Sequence, residues 1–318
     1  MSHQLIFLLD YLICPKFCLK LKIIFELCRL FYHLILKKLY FRSMQPTSQQ
    51  RRTILITGAN KGIGYVTVER FLSEPTSYNI ILTSRDVKLG EKAVETLQSK
   101  HPNSTSTLTY HQLDVNDDKS VENLVAWVQE NSKKIDVLIN NAGVAYQGPN
   151  DEQKKLTVKT NFFSVVNLTE KLIPFLSEDA KVIQVSSRVG QLARQGETLR
   201  NTLSDTNLTE PKLYDVANNI FELTQDFKPY SIVVEPSYPA SKALLNAYIK
   251  NFLPGKLKST QQTYAVHLGW VKSDLGGADA PGALEDGADT IVYLTNLPFK
   301  IHPELNARLI GDRKVIDF

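Results

Sequence analysis

From residue 53 onward, short runs rich in β-branched and apolar residues alternate with longer segments of helical periodicity. The runs predicted to be β-strands are residues 53–57, 79–83, 108–113, 135–140, 181–186 and 263–268. Parallel strands need long crossover connections, usually helices, whereas antiparallel strands can be joined by tight turns. The alternation therefore predicts an α/β fold: a single Rossmann-type, doubly wound parallel sheet with helices on both faces. Residues 53–318 have a suitable length for one such domain.

Charge and cysteine distinguish a leader, residues 1–43, from the rest of the chain. The leader holds seven of the 37 Lys and Arg, two of the 33 Asp and Glu, and all three cysteines. Residues 44–318 therefore contain 30 bases, 31 acids and no cysteine. Such a nearly neutral domain has no basic surface field to attract nucleic acid. Without cysteines, and with the histidines of the chain scattered, we expect neither a disulfide framework nor a metal site.

The leader is followed by a polar linker, residues 44–52. From residue 22, polar side chains in the leader recur at helical spacing among apolar ones, which is typical of a helix lying on a membrane surface. The longest leader stretch without Lys, Arg, Asp or Glu ends at Leu9, too short to span a membrane. Three interpretations stay open: an anchor that contacts a membrane through residues 20–40, a targeting peptide removed later, and an upstream extension, since Met44 could start translation. We expect a cytoplasmic protein, membrane-associated in the first case.

The first predicted strand runs directly into a glycine-rich turn, and a helical segment follows it. Glycines permit a tight turn and close backbone approach, and the start of a helix offers free N–H groups to a pyrophosphate. A strand, a glycine loop and a helix in this order predict a dinucleotide site. Its candidate residues are Gly58, Asn60, Lys61, Gly62, Ile63 and Gly64.

The end of the second predicted strand bears on the choice of cofactor. NAD-binding domains usually offer a carboxylate there to the ribose 2′-hydroxyl, whereas this chain has Arg85, which with Lys61 could bind a 2′-phosphate. This favours NADP(H), although the adjacent Asp86 leaves NAD open. Further cofactor contacts are predicted after the third and fourth strands, at Asp114, Val115, Asn141 and Gly143.

The segment Tyr238-Pro239-Ala240-Ser241-Lys242 carries the candidate chemistry. Proline suits the first turn of a helix, and a separation of four residues places Tyr238 and Lys242 on the same helix face. A nearby ammonium favours the phenolate and lowers the tyrosine pKa, which makes proton exchange feasible near neutral pH. Ser187, after the fifth predicted strand, and Asn161, in the preceding helix, complete the candidate catalytic set.

In their order along the chain, these motifs resemble the short-chain dehydrogenase/reductase family. They are Thr57-Gly58-x3-Gly62-x-Gly64, Asn140-Asn141-Ala142-Gly143, Asn161, Ser187 and Tyr238-x3-Lys242. The resemblance extends over residues 53–318. Within the family the chain looks most like the monomeric NADPH-dependent carbonyl reductases. The segments that match this group are residues 159–163, 269–274, 285–289 and 292–294. The 50-residue insertion 188–237, between Ser187 and Tyr238, is a further sign of that group.

The resemblance implies a role for each candidate. Tyr238 protonates the carbonyl oxygen as hydride arrives from the nicotinamide, and Ser187 holds that oxygen. Lys242 binds the nicotinamide ribose and lowers the Tyr238 pKa, and Asn161 holds a water of the proton relay. Tyr238, like Lys242, is also a cofactor contact. A loop that packs on the nicotinamide supplies Gly269, Val271 and Ser273, and Trp270 lines the substrate pocket. Leu268 and Ser273 replace the family's usual proline and threonine.

The insertion contains an apolar stripe at helical spacing, interrupted by Thr224, which we interpret as core contact. Its members are Leu213, Val216, Ala217, Ile220, Phe221 and Phe227. In the resembled reductases an inserted helix covers the surface that other members use to dimerise, so the resemblance implies a monomer.

The leading hypothesis is an NADPH-dependent reductase of a small-molecule carbonyl substrate: a ketone, an aldehyde or a quinone. Two alternatives stay open: a membrane-associated alcohol, retinoid or steroid dehydrogenase, and an NADP-binding regulatory protein without turnover. The sequence fixes neither the substrate nor the physiological direction, because the pocket walls come from loops.

Overall fold

The strands lie in one sheet in the computed structural model, which describes residues 51–131, 134–146, 150–226, 235–298 and 302–318. In chain order they are β1 (Arg52–Ile56), β2 (Tyr78–Ser84), β3 (Thr107–Gln112), β4 (Ile135–Asn140), β5 (Leu176–Val185), β6 (Gln262–His267), β7 (Leu309–Gly311) and β8 (Lys314–Ile316). Across the sheet the order is β3-β2-β1-β4-β5-β6-β7-β8. Every neighbouring pair is parallel except β7 and β8. The predicted fold class is thus confirmed.

Helices connect the strands and cover both faces of the sheet. They are α1 (Gly62–Ser73), α2 (Val87–Lys100), α3 (Asp118–Asn131), α4 (Asp151–Val158), α5 (Ser164–Leu172), α6 (Glu197–Ser204), α7 (Glu210–Asn218), α8 (Ile220–Leu223), α9 (Ser237–Asn251), α10 (Leu253–Lys256) and α11 (Leu284–Asn296). A π-helical turn, Lys159–Phe163, joins α4 to α5, and a 3₁₀ turn, Arg188–Gly190, follows β5. In the described ranges, none of these helices combines the length and apolarity required to cross a bilayer.

Two apolar cores lie on opposite faces of the sheet, because successive strand residues point to opposite sides. In β1, Leu55 belongs to the core shared with α3, α5 and α9, whereas Ile54 and Ile56 belong to the core shared with α1, α2 and α11. Central strands that are covered on both faces must be apolar on both faces. This explains why β1 and β4 each contain three consecutive apolar residues, at positions 54–56 and 137–139.

The six predicted strands match β1 to β6 to within one residue at each end, with one exception. Strand β5 begins at Leu176, five residues before its predicted start, because Ile135 pairs with Leu176 before the register shifts to pair Val137 with Lys181. The sequence analysis did not predict β7 and β8, which have three residues each. Runs of that length carry too little periodicity to distinguish a strand from a turn.

The insertion is helical where it is described, and α6, α7 and α8 pack on the same core as α9. Buried apolar side chains from these helices make the contact: Leu199, Leu203, Leu213, Val216, Ala217 and Ile220. Phe221 is partly buried against this core, and the buried Thr224 donates from Oγ1 to the Ile220 carbonyl at 2.9 Å. Phe227 of the predicted stripe, residues 1–43 and linker residues 44–50 lie outside the described residues.

A buried lysine on β5 closes the end of the last helix. The side chain of Lys181 is fully buried, and its Nζ donates to the carbonyls of Leu294, Thr295 and Leu297 at 2.8, 3.0 and 2.6 Å. The last carbonyls of a helix have no partner within the helix. An ammonium that binds them also interacts favourably with the negative end of the helix dipole. Lys181 thereby attaches α11 to the sheet.

We predict that Lys181→Met lowers the free energy of unfolding by about 2–4 kcal/mol, because the apolar side chain leaves buried carbonyls without a donor. Chemical denaturation followed by circular dichroism measures the loss. The control is Lys92→Met, at an exposed position on α2, which should leave stability within about 0.5 kcal/mol of the parent. Equal stability of the two variants would contradict the role of Lys181.

Candidate active site

A cleft of about 580 Å³ opens at the carboxyl ends of the parallel strands. In open α/β sheets ligands bind at this edge, where the strand order reverses. Here the reversal lies between β1 and β4, the two strands that lead into the glycine-rich turn and into Asn141. Of the site residues predicted from the sequence, all except Gly64 and Asn161 line the cleft. In the described part of the chain, no group of three or more His, Cys, Asp or Glu side chains is arranged to hold a metal ion.

The glycine-rich turn has the backbone geometry of a phosphate-binding loop. Gly58 and Gly62 have φ angles of 63° and 61°, in the left-handed region that favours glycine. A Cβ at Gly64 would lie 2.6 Å from Asn141 Nδ2 and 2.8 Å from the Gly58 carbonyl oxygen, so a side chain there would collide with the loop. Helix α1 begins at Gly62 with no side-chain cap on its first N–H groups. The loop therefore fits a pyrophosphate.

Asn141 holds this loop. Its Nδ2 donates to the carbonyls of Thr57 and Gly58 at 2.9 and 3.0 Å, and its backbone N–H donates to Thr57 Oγ1 at 3.0 Å. The side-chain amide is thus engaged with the protein backbone. The structure places Asn141 in the cleft wall as the residue that fixes the phosphate loop to the end of β4.

The residues expected to select the cofactor lie at the rim of the cleft. Asp86, which left NAD open in the sequence, accepts the Leu89 N–H at 2.9 Å and so caps α2. Arg85 is exposed, and its carbonyl accepts from Gln112 Nε2 at 3.2 Å. Lys61 Nζ lies 2.5 Å from Asp274 Oδ2, and both of these side chains are largely exposed. An exposed ion pair is worth little, so Lys61 can exchange this partner for a phosphate.

The candidate catalytic groups meet where β5 and α9 approach each other. Tyr238 lies in the first turn of α9, and it lines the cleft together with Ser187, which is close enough to influence its pKa. Lys242 Nζ donates to the Val185 carbonyl at 2.8 Å and lies 5.8 Å from the centroid of the Tyr238 ring. The structure thus brings Ser187, Tyr238 and Lys242 together in one part of the cleft.

The expected lowering of the Tyr238 pKa by Lys242 is not found. Burial raises the pKa of Tyr238 to about 12, and the hydrogen bond with Ser187 opposes this rise. Burial also lowers the pKa of Lys242 to about 8. Sequence spacing reveals that an ammonium is close to a phenol, but not how much water both groups lose, and here the loss of water sets the direction of both pKa shifts.

Asn161 stands in the π-helical turn between α4 and α5, fully buried. Its Oδ1 accepts the Val144 N–H at 2.9 Å, and its Nδ2 donates to the Val144 carbonyl at 2.8 Å and to Ser241 Oγ at 3.1 Å. These contacts fix the segment after Gly143 to the helix that carries Tyr238. The Asn161 amide thus connects Val144 to Ser241 in this structure. Its part in a proton relay stays a prediction.

The loop after β6 forms the opposite wall of the cleft. Gly269 has a φ angle of 79°, Val271 forms a β-bridge with Gly282, and Ser273 Oγ accepts the Gly276 N–H at 3.0 Å. Trp270 is 44% exposed, and its Nε1 donates to the Gly276 carbonyl at 2.7 Å. This bond holds the indole at the mouth of the cleft.

Sequence reasoning missed several groups around the cleft. Leu275 is as exposed as Trp270 and lines the cleft with it, and His267 lines its inner end. Asn246, one turn beyond Lys242 on α9, binds both sides of the Ser187 loop. Its spacing of four from Lys242 was a signal that could have identified it.

The chain is similar to a known protein family and to several known proteins. The family model for short chain dehydrogenase matches residues 52–199. Carbonyl reductase (NADPH) 1 of Sus scrofa is 31% identical over 285 residues, which cover 85% of this chain and 96% of that relative. Carbonyl reductase (NADPH) 3 of Mus musculus is 33% identical over 275 residues, which cover 83% of this chain and 97% of that relative. Salutaridine reductase from Papaver somniferum, a solved structure, is 28% identical with a TM-score of 0.70, covering 82% of this chain and 100% of that chain.

Proposed function

The chain belongs to the short-chain dehydrogenase/reductase family, and we propose that it is an NADPH-dependent carbonyl reductase in which Tyr238 donates the proton. The observation that carries the proposal is the meeting of Ser187, Tyr238 and Lys242 in the cleft that also contains the phosphate loop. The relatives named as NADPH carbonyl reductases match nearly their whole length to this chain. The product is an alcohol.

Ser187 and Tyr238 have distinct roles in the proposed reduction. Bound NADPH supplies the hydride, and with it the electron pair, that the carbonyl carbon accepts. Ser187 and Tyr238 both donate hydrogen bonds to the carbonyl oxygen, which stabilises the negative charge that develops there. Tyr238 then transfers its proton to that oxygen. Its pKa of about 12 keeps the phenol protonated at neutral pH, which is the form needed for donation.

Lys242 returns the proton to Tyr238. A pKa of about 8 leaves Lys242 largely protonated at neutral pH, yet close enough to that pH to release a proton. Its ammonium lies 5.8 Å from the centroid of the phenol ring and is oriented by the Val185 carbonyl. Its position also suits a hydrogen bond to the nicotinamide ribose.

The mouth of the cleft favours apolar substrates. Trp270 and Leu275 are large apolar side chains, each 44% exposed, and they line the same cleft as Tyr238. Exposed apolar surface beside a polar reaction centre is typical of a site that binds an apolar molecule. We therefore propose apolar ketones, aldehydes or quinones as substrates.

The insertion supports a monomer. Helices α6 to α8 cover α9 with buried apolar side chains. Ion pairs at the edge add to this contact, since Lys256 Nζ lies 2.9 Å from Glu210 Oε1 and 3.0 Å from Glu170 Oε1. A helix face that is already buried by its own chain is closed to a partner subunit. We further propose, from the sequence alone, a cytoplasmic protein, with membrane contact through residues 20–40 as one of the three open interpretations of the leader.

We predict that Tyr238→Phe lowers kcat for carbonyl reduction by roughly 10²- to 10⁴-fold, because the general acid is lost. NADPH binding, measured by fluorescence, should stay within about twofold, since the aromatic ring of residue 238 and the other cofactor contacts are retained. The control is Tyr293→Phe, on α11, which should keep full turnover. Undiminished NADPH oxidation by Tyr238→Phe would refute the mechanism.

We predict that Arg85→Ser lowers kcat/KM for NADPH about 10- to 100-fold, because a charge-assisted hydrogen bond to the 2′-phosphate is lost. The value for NADH, which has no such phosphate, should change less than about twofold. Lys88→Ser removes an exposed cation three residues away and serves as the control for general electrostatics. Equal losses with both cofactors would argue against a 2′-phosphate contact.

We predict that residues 44–318 sediment as a single monomeric species over the concentration range of the assay, because the insertion covers α9. Sedimentation velocity measures the mass directly. A stable dimer or tetramer would overturn the proposal.

A further inference from the structure

Asn246 lies on the same face of α9 as the two reactive side chains, at the third position of the series Tyr238, Lys242, Asn246. The side chain is 2% exposed, so its polar atoms depend on protein partners. In the described structure these partners belong to the loop that carries Ser187. None of the roles assigned above uses this residue.

Two hydrogen bonds of Asn246 enclose Ser187. Its Oδ1 accepts from Ser186 Oγ at 2.6 Å, and its Nδ2 donates to the Gly190 carbonyl at 3.2 Å. Ser186 precedes Ser187, and Gly190 ends the 3₁₀ turn for which Ser187 is the cap. A carboxamide meets both needs at once, because it accepts from the hydroxyl and donates to the carbonyl.

The loop packs directly against the backbone of α9 between the reactive residues and Asn246. A Cβ at Gly190 would lie 2.6 Å from the Lys242 carbonyl carbon and 2.8 Å from its oxygen. Only a glycine permits this approach. From the other side, Gln195 Nε2 donates to the carbonyls of Val189 and Gln191 at 2.7 and 3.1 Å. The loop is thus held by Gln195 and by its contacts with α9.

From this geometry we propose that Asn246 is a positioning residue, which sets the place of Ser187 relative to Tyr238 by binding both ends of its loop to the helix that carries Tyr238. The inference rests on the proposed carbonyl reduction. Ser187 and Tyr238 must reach one carbonyl oxygen together, and a small displacement of either weakens both hydrogen bonds to it. Loss of Asn246 should therefore act on turnover through Ser187 and leave cofactor binding intact.

The test is a cycle of variants: Asn246→Leu, Ser187→Ala and the double variant, with Asn251→Leu as an exposed control on the same helix. Turnover of an apolar quinone is expressed per NADPH-binding site, counted by fluorescence titration, so that unfolded protein does not contribute. We expect Asn246→Leu to lower kcat about 10- to 100-fold, with the Kd for NADPH within about twofold. In the Ser187→Ala background the same substitution should cost less than about twofold.

Additive losses in this cycle, or an unchanged kcat per binding site in Asn246→Leu, would overturn the inference. If Asn246→Leu fails to bind NADPH, Ser186→Ala replaces it in the cycle. That variant removes one hydroxyl donor and is expected to lower kcat about 3- to 10-fold, again only when Ser187 is present. An inactive parent enzyme would instead refute the proposed function before any variant is compared.

Discussion

The burial of helix α9 is the constraint on which the rest of the active site depends. Of its 15 residues, 12 are buried, Tyr238 is partly buried, and only Lys250 and Asn251 are exposed. A helix that is covered on nearly every side has little freedom to rotate or shift, because interiors are packed as densely as organic crystals. The polar groups on α9 are therefore held in fixed positions before any ligand binds, which is what preorganised catalysis requires.

This burial also determines the protonation states. Loss of water raises the pKa of Tyr238 and lowers that of Lys242, so each shift favours the neutral form. The two groups end with pKa values about four units apart, the phenol near 12 and the ammonium near 8. At neutral pH the phenol holds its proton firmly, whereas the lysine can exchange one with a modest change in free energy. The same buried environment therefore makes Tyr238 a firmly protonated acid and Lys242 a group that can supply protons.

Much of this arrangement could be predicted from the sequence, because it follows from local periodicity and spacing. The first six strands, the glycine-rich turn and the shared helix of Tyr238 and Lys242 belong to this group. Other features depend on contacts distant in sequence. Lys181 binds carbonyls more than 110 residues away, and the early start of β5 follows from its pairing with β4. The direction of the Tyr238 shift depends on total burial, which no single segment determines.

The cover that α6 to α8 place over α9 is part of the same polypeptide. A surface buried between subunits is protected only while the subunits stay associated, so its stability falls as the protein is diluted. An intramolecular cover has no such dependence, because the covering helices remain at the same effective concentration however dilute the solution. Helix α9, which carries Tyr238 and Lys242, therefore stays covered whatever the concentration of the protein in the cell.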